Sequence, residues 1–210
     1  MRAVAAATAF AVSWMMFAVV PRAEDSRWSA PYLGAFLGYG DVSDAWDQGS
    51  VPGDPQLSPE GIVFGGFAGY THDVGGLVLG VEGDLSFPDF SDAAQCTAGA
   101  DCAVDVQVLS SLRARGGVAL GAVQLYAAGG LALGFLQAET SAPAGWSDNT
   151  TLSGWTLGGG IDYETASRIR IGIEYRHSDY GSADVALGPA GGDVRLETDE
   201  VRARLSIPLN

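Results

Sequence analysis

Long, regular alternation of apolar with small or charged side chains constrains this chain more than any other feature. In segment 168–180, Ile169, Ile171, Ile173 and Tyr175 share one face, and Arg170, Gly172, Glu174, Arg176 and Ser178 share the other. Segment 152–164 sets Trp155, Leu157, Ile161 and Tyr163 against Thr156, Gly158, Gly160, Asp162 and Glu164. Segment 77–87 sets Leu77, Leu79, Val81, Leu85 and Phe87 against Gly80, Glu82, Asp84 and Ser86. The last segment sets Val201, Ala203, Leu205, Ile207 and Leu209 against Arg202, Arg204 and Ser206. A period of two is the signature of a strand with unlike faces. Helical periodicity is almost absent beyond the first residues.

A soluble sandwich would bury the apolar face and wet the charged one. Two features oppose that arrangement. Globular strands usually run about five or six residues, whereas these segments reach the roughly 9–11 needed to cross a bilayer at a tilt. Their polar faces are also rich in Gly and Ala, with a few charges of both signs, which suits a narrow lumen. Lipid outside and a polar interior is the pattern of a transmembrane barrel.

Eight strands are expected, at about 28–40, 60–71, 76–88, 104–116, 122–137, 152–164, 168–180 and 194–209. Short turns are expected near 72–75, 117–121 and 164–168, with long connections at 41–59, 89–103, 138–151 and 181–193. Three short turns and four long loops are what eight strands need when both termini lie on the periplasmic side. An even count closes the sheet, so no unpaired edge meets lipid. The reading is all-β: an eight-stranded antiparallel transmembrane β-barrel.

The start of the chain has a different character. Arg2, an apolar run from Ala3 to Val20, and Ala23 before Glu24 read as an export signal over residues 1–23, with the barrel over 24–210. The competing reading, an uncleaved anchor, suffers from the shortness of the apolar run. The formal charge is −14, and every basic residue is arginine. No basic patch is present, so nucleic acid is not an expected partner. The two cysteines, Cys96 and Cys102, lie in a Gly/Ala/Asp-rich stretch of an exported chain. A disulfide across this short loop is expected rather than a metal site, since no His lies nearby.

Several stretches resemble a known family. They are Gly154-Trp155-Thr156-Leu157-Gly158-Gly159-Gly160-Ile161-Asp162-Tyr163, then Ile173-Glu174-Tyr175-Arg176 and Asp179-Tyr180-Gly181. Gly65-Gly66-Phe67-Ala68-Gly69-Tyr70 with Gly80-Val81-Glu82-Gly83-Asp84, and Leu112-Arg113-Ala114-Arg115 with Leu125-Tyr126-Ala127-Ala128-Gly129-Gly130-Leu131-Ala132, extend the likeness over nearly all of the mature chain. In order and spacing it resembles the small OmpA-like surface-antigen barrels of alphaproteobacteria, the outer-membrane immunogenic proteins. His177 departs from the aromatic usual there, and the chain ends Leu209-Asn210 where such barrels usually end on an aromatic. The resemblance implies a surface protein of the cell outer membrane, structural and antigenic, some members having been called porins.

Catalysis by a barrel lipid hydrolase would need a His and a Ser on one face, with a carboxylate orienting the His. Only His72 and His177 exist. Ser178, next to His177, points to the opposite face of a strand. His177 shares parity with Ile173 and Tyr175 and is expected to face lipid near the interface. His72 is expected at a solvated turn. Gly-rich pieces such as 158–160 lack the strand–loop–helix setting of a phosphate loop. Asp41, Asp44, Asp47 and Asp54 could attract divalent cations, but read better as a solvated loop.

The charges of lumen parity could form an ion path, a catalytic cluster or a salt-bridged plug. Eight strands leave room only for side chains, and buried charges need partners, which favours the plug. Glu82, Arg113, Glu174, Arg176, Arg202 and Arg204 are expected to form its network, Glu82, Arg113, Glu174 and Arg202 having lumen parity within the neighbouring strand pairs 76–88 with 104–116 and 168–180 with 194–209. The chain is therefore expected to be a monomeric, non-enzymatic envelope protein without cofactor. Its expected partners are outer-membrane lipids and lipopolysaccharide, the barrel-assembly machinery, and any host or environmental ligand at acidic outer loops. A narrow porin-like channel and a lipid hydrolase are the alternatives.

Overall fold

The structure, a computed structural model, describes residues 27–44, 60–89, 93–97, 100–140, 146–185 and 192–209. It describes backbone alone at 42–44, 93–97, 100–107, 136–140, 146–150, 182–185 and 192–195. The strands are β1 (Ala30–Asp44), β2 (Glu60–Val74), β3 (Leu77–Asp89), β4 (Ala93–Thr97), β5 (Ala100–Leu120), β6 (Val123–Thr140), β7 (Trp146–Glu164), β8 (Arg170–Val185) and β9 (Gly192–Pro208). Each of the eight long strands pairs antiparallel with its neighbours. β1 pairs with β9, and β3 with β5, which closes the sheet into an eight-stranded barrel. Closure gives every long strand two partners, so no ladder edge remains open. The short β4 lies outside this circuit, paired only along β5.

The alternation places the core. Leu77, Leu79, Val81, Leu85 and Phe87 are exposed on the outside, while Glu82, Asp84 and Ser86 are buried within. The same inversion holds on β7, β8 and β9, where Ile161, Ile173 and Leu205 face out and Asp162, Glu174 and Arg204 face in. An outer surface of Leu, Ile, Val and aromatic residues is stable only against lipid.

The turn boundaries depart from the sequence reading. The β2–β3 hairpin turns at Gly75-Gly76, whose φ angles of 67° and 94° suit a tight primed turn. His72 consequently lies within β2, exposed on the outer face, and not at a turn. Gly117, expected in the 117–121 turn, lies inside β5, where a Cβ would fall 2.8 Å from the Cβ of Tyr126. The chain turns instead at residues 121–122. The third long loop shrinks to residues 141–145, since the β6–β7 ladder continues to Thr140 opposite Trp146. Trp28, expected in the first strand, precedes it and folds into the turn end of the barrel. Residues 1–23, and with them the export signal, lie outside the described residues, as do the side chains of Cys96 and Cys102.

Close packing inside the wall depends on glycine at Gly160. A Cβ there would lie 2.5 Å from the Ile173 carbonyl oxygen and 2.7 Å from the Tyr126 hydroxyl. Gly160→Val is therefore expected to displace Tyr126 and cost about 1–3 kcal/mol by overpacking. Urea unfolding of the refolded barrel checks it; a midpoint equal to that of the parent would show that the wall can yield.

Candidate functional site

The buried charges of this chain, among the described residues, gather in the lumen. Among the described residues six carboxylates are buried there: Glu82, Asp84, Asp162, Glu164, Glu174 and Glu200. Six guanidiniums accompany them: Arg113, Arg115, Arg170, Arg176, Arg202 and Arg204. The two sets balance, as a low-dielectric interior requires.

Strand parity delivers these groups in layers. Nearest the turn end, Trp28 is 1% exposed and its indole Nε1 donates to the Gly121 carbonyl at 3.1 Å. Its own carbonyl accepts from Thr71 Oγ1 at 2.6 Å, and the Arg170 guanidinium lies 4.8 Å from the ring centre. Arg170 Nε also donates to Glu164 at 2.9 Å. This layer caps the mouth with an aromatic residue held by its indole N–H, its backbone carbonyl and the stacked Arg170.

The next layers carry the densest network. Arg113 bonds Glu82 and donates to Glu174 at 3.0 Å. Arg204 bonds both Glu82 and Glu174. Arg115 bonds Asp162 and lies 3.4 Å from the centre of the Tyr126 ring. Tyr32 and Tyr126 donate to Glu82 and Glu174, each at 2.8 Å. Arg176 donates to Glu174 at 3.1 Å and to Asp84 at 2.9 Å. Arg204 and Arg202 lie over Phe67 and Phe36, each 4.1 Å from the ring centre, so even their π-faces are occupied. Towards the loop end Leu109, Ala132, Leu152, Tyr180 and Leu196 form an apolar cluster above the charges.

The structure places all six residues of the sequence-derived network in the lumen, where ion pairs run among them and to Asp84 and Glu200. Arg202 stands directly opposite Glu174 in register, yet its guanidinium bonds Glu200 and lies 3.6 Å from Asp84. Glu174 takes Arg113, Arg176 and Arg204 instead. A long inward side chain reaches past its wall neighbour, so register does not name its partner. Glu200, Tyr32, Tyr126 and Trp28 belong to the lumen and were missing from that list. The parity of Arg202 marks Glu200, and that of Phe36 marks Tyr32 and Trp28, all buried on the inward side.

His177 lies on the outer face, half-buried, with Nδ1 3.0 Å from Asp199 Oδ1 and its ring 5.3 Å from that of Trp155. Ser178 faces the lumen and donates to Thr156 Oγ1 at 2.9 Å. The two side chains stand on opposite sides of the wall.

A closed antiparallel barrel, apolar outside and charge-balanced within, defines an outer-membrane β-barrel protein. The chain belongs to the family described as outer membrane protein beta-barrel domain, which matches residues 4–207. It is 30% identical to the 25 kDa outer-membrane immunogenic protein of Brucella abortus biovar 1, over 88% of this chain and 81% of that one. It is also 30% identical to the 22 kDa outer membrane protein of Rhizobium leguminosarum bv. viciae, over 69% of this chain and 64% of that one. Among solved structures it is similar to Neisserial surface protein A, with a TM-score of 0.50 and 16% identity over 85% of this chain and 97% of that one, a likeness of fold alone.

Proposed function

We propose that this barrel is a non-conducting, non-catalytic surface protein that displays acidic loops outside the cell. The observation that carries the reading is the filled lumen. Glu82, Arg113, Glu174 and Arg202 are each at most 1% exposed, between the Trp28 cap and the apolar cluster at the loop end. Each buried charge has a counter-charge, and an eight-stranded wall leaves no further radius for a water-filled path.

The charge of the whole chain supports the loop assignment. The chain has 25 acidic residues and 11 arginines, and among the described residues six of each are buried in the lumen, where they cancel and contribute nothing to the −14. Segment 41–60 holds five carboxylates and no arginine, and segment 89–105 holds four and none. Both belong to the loop end, which in barrels of this type faces the exterior. Such an end repels anionic surfaces and suits a cationic host or environmental ligand. Export through the 1–23 signal, delivery to the assembly machinery and a monomeric state complete the proposal.

Planar-bilayer recording tests it. The full mature chain is expected to give no unitary current steps at any holding voltage the bilayer tolerates. Reproducible steps that scale with salt concentration would overturn the non-conducting reading and install the narrow porin.

A further inference from the structure

The outer wall carries a second, differently built feature. On β8, β9, β1 and β2 the register runs His177 to Asp199, Asp199 to Asp41, and Asp41 to Glu60. Three carboxylates thus stand side by side on the face turned to lipid, where carboxylates directly opposite repel. Asp199 accepts from the Tyr175 hydroxyl at 2.6 Å and lies beside His177, and Glu60 accepts from the Tyr39 hydroxyl at 2.6 Å. Asp41 makes no hydrogen bond or ion pair among the described residues. Among the described residues no guanidinium pairs with this row, in contrast to the lumen, where each buried carboxylate has one.

Immediately below lies an apolar groove of about 360 Å³, lined by Leu37, Tyr39, Ile62, Ile173, Val201 and Ala203. It exists because the small Ala203 stands in register between Leu37 and Ile173. From Pro31 at the turn end, ten tilted residues lift Asp41 by about 25 Å, one hydrocarbon thickness. The row therefore sits at headgroup level, and the groove sits among acyl chains.

We propose that groove and row together form a docking site for a diacyl lipid whose headgroup bears an ammonium. One acyl chain fills the gap over Ala203, and the ammonium lies beside Asp41 and Asp199. The charge selects this occupant: a bare phosphate headgroup would meet like charge, while an ammonium supplies the cation that the wall does not. The tyrosines bonded to Glu60 and Asp199 add ring faces that favour a cation. The inference rests on the outer-membrane location and is independent of whether the lumen conducts.

The test refolds the full mature chain into vesicles holding phosphatidylethanolamine and phosphatidylglycerol in equal parts, with identical acyl chains. Lipid retained after mild detergent extraction is then counted by mass spectrometry. Retained phosphatidylethanolamine is expected to exceed phosphatidylglycerol by about threefold to fivefold, the range of an exposed ion pair. Asp41→Asn with Asp199→Asn should abolish the preference, and Ala203→Leu should lower total retention. Ala127→Leu, on the exposed outer face of β6, should change neither. Asn at both acidic positions removes lipid-side charge and so should not impair folding, which heat-dependent gel mobility verifies. Retention in the bulk ratio, or loss of the preference with a chelator, would overturn the proposal, the latter in favour of a bridging divalent cation. A dimer that persists in the same extract and vanishes with Ala203→Leu would overturn it in favour of a second copy on the groove.

Discussion

Glu174→Gln is expected to lower the stability of the barrel in lipid vesicles by about 3–5 kcal/mol, read as a fall in the urea midpoint at unchanged slope. Glu174 is fully buried and is shared by Arg113, Arg176 and Arg204. Gln matches its shape and still accepts a hydrogen bond, so packing is preserved while the lumen gains one uncompensated positive charge. The loss then measures charge balance rather than a cavity.

A second substitution separates the two. Arg204→Met keeps an apolar stem over Phe67 and removes one of the positive charges that Glu174 offsets. In the double variant the lumen is again neutral, and Glu82 retains Arg113 and Arg115. More than half of the Glu174→Gln loss should return, giving a coupling outside the range of independent sites. Losses that simply add would show that the network stabilises the barrel by local hydrogen bonds, with its overall neutrality irrelevant.

How much of this was legible before the structure follows from what a strand records about itself. Inward or outward parity is a property of each residue and its neighbours two away, so Glu82, Arg113, Glu174 and Arg204 could be placed in the lumen directly. Who meets whom across the lumen depends on the stagger with which the sheet closes, which no segment states. Arg202 shows the difference: its register neighbour is Glu174, and its ionic partners are Glu200 and Asp84. The strand ends were misread for a related reason. Gly117 falls in the turn expected at 117–121, but it lies within β5 and makes room for Tyr126, a contact made on the neighbouring strand. The polar ends of β6 and β7 read as loop, although they continue the ladder beyond the apolar band, where water replaces lipid and alternation no longer needs to be apolar. The acidic row on the outer wall escaped notice because its members come from four strands and only the register brings them together.

Trp28→Ala is expected to cost about 3 kcal/mol or more, the range of a buried aromatic truncated to alanine. The ring is almost fully enclosed, and three groups lose a partner or a neighbour when it goes. The Gly121 carbonyl loses a donor, Arg170 loses the ring it stacks on, and the Glu164–Arg170 pair becomes open to water at the turn end. Because that mouth faces solvent, water takes over part of the lost contacts, which holds the effect near the lower end of the range. Hydrogen exchange should accelerate at residues 119–123, where the cap is anchored, and stay slow around Glu174, because that layer is held by its own ion pairs with Arg113, Arg176 and Arg204. Conductance should remain zero for the same reason: Glu82, Arg113, Glu174 and Arg204 still fill the next level. A Trp28→Ala barrel that conducts would make the indole the sole seal of a path through the charge network, and the lumen would have to be reassigned as a gated pore with Trp28 as its gate.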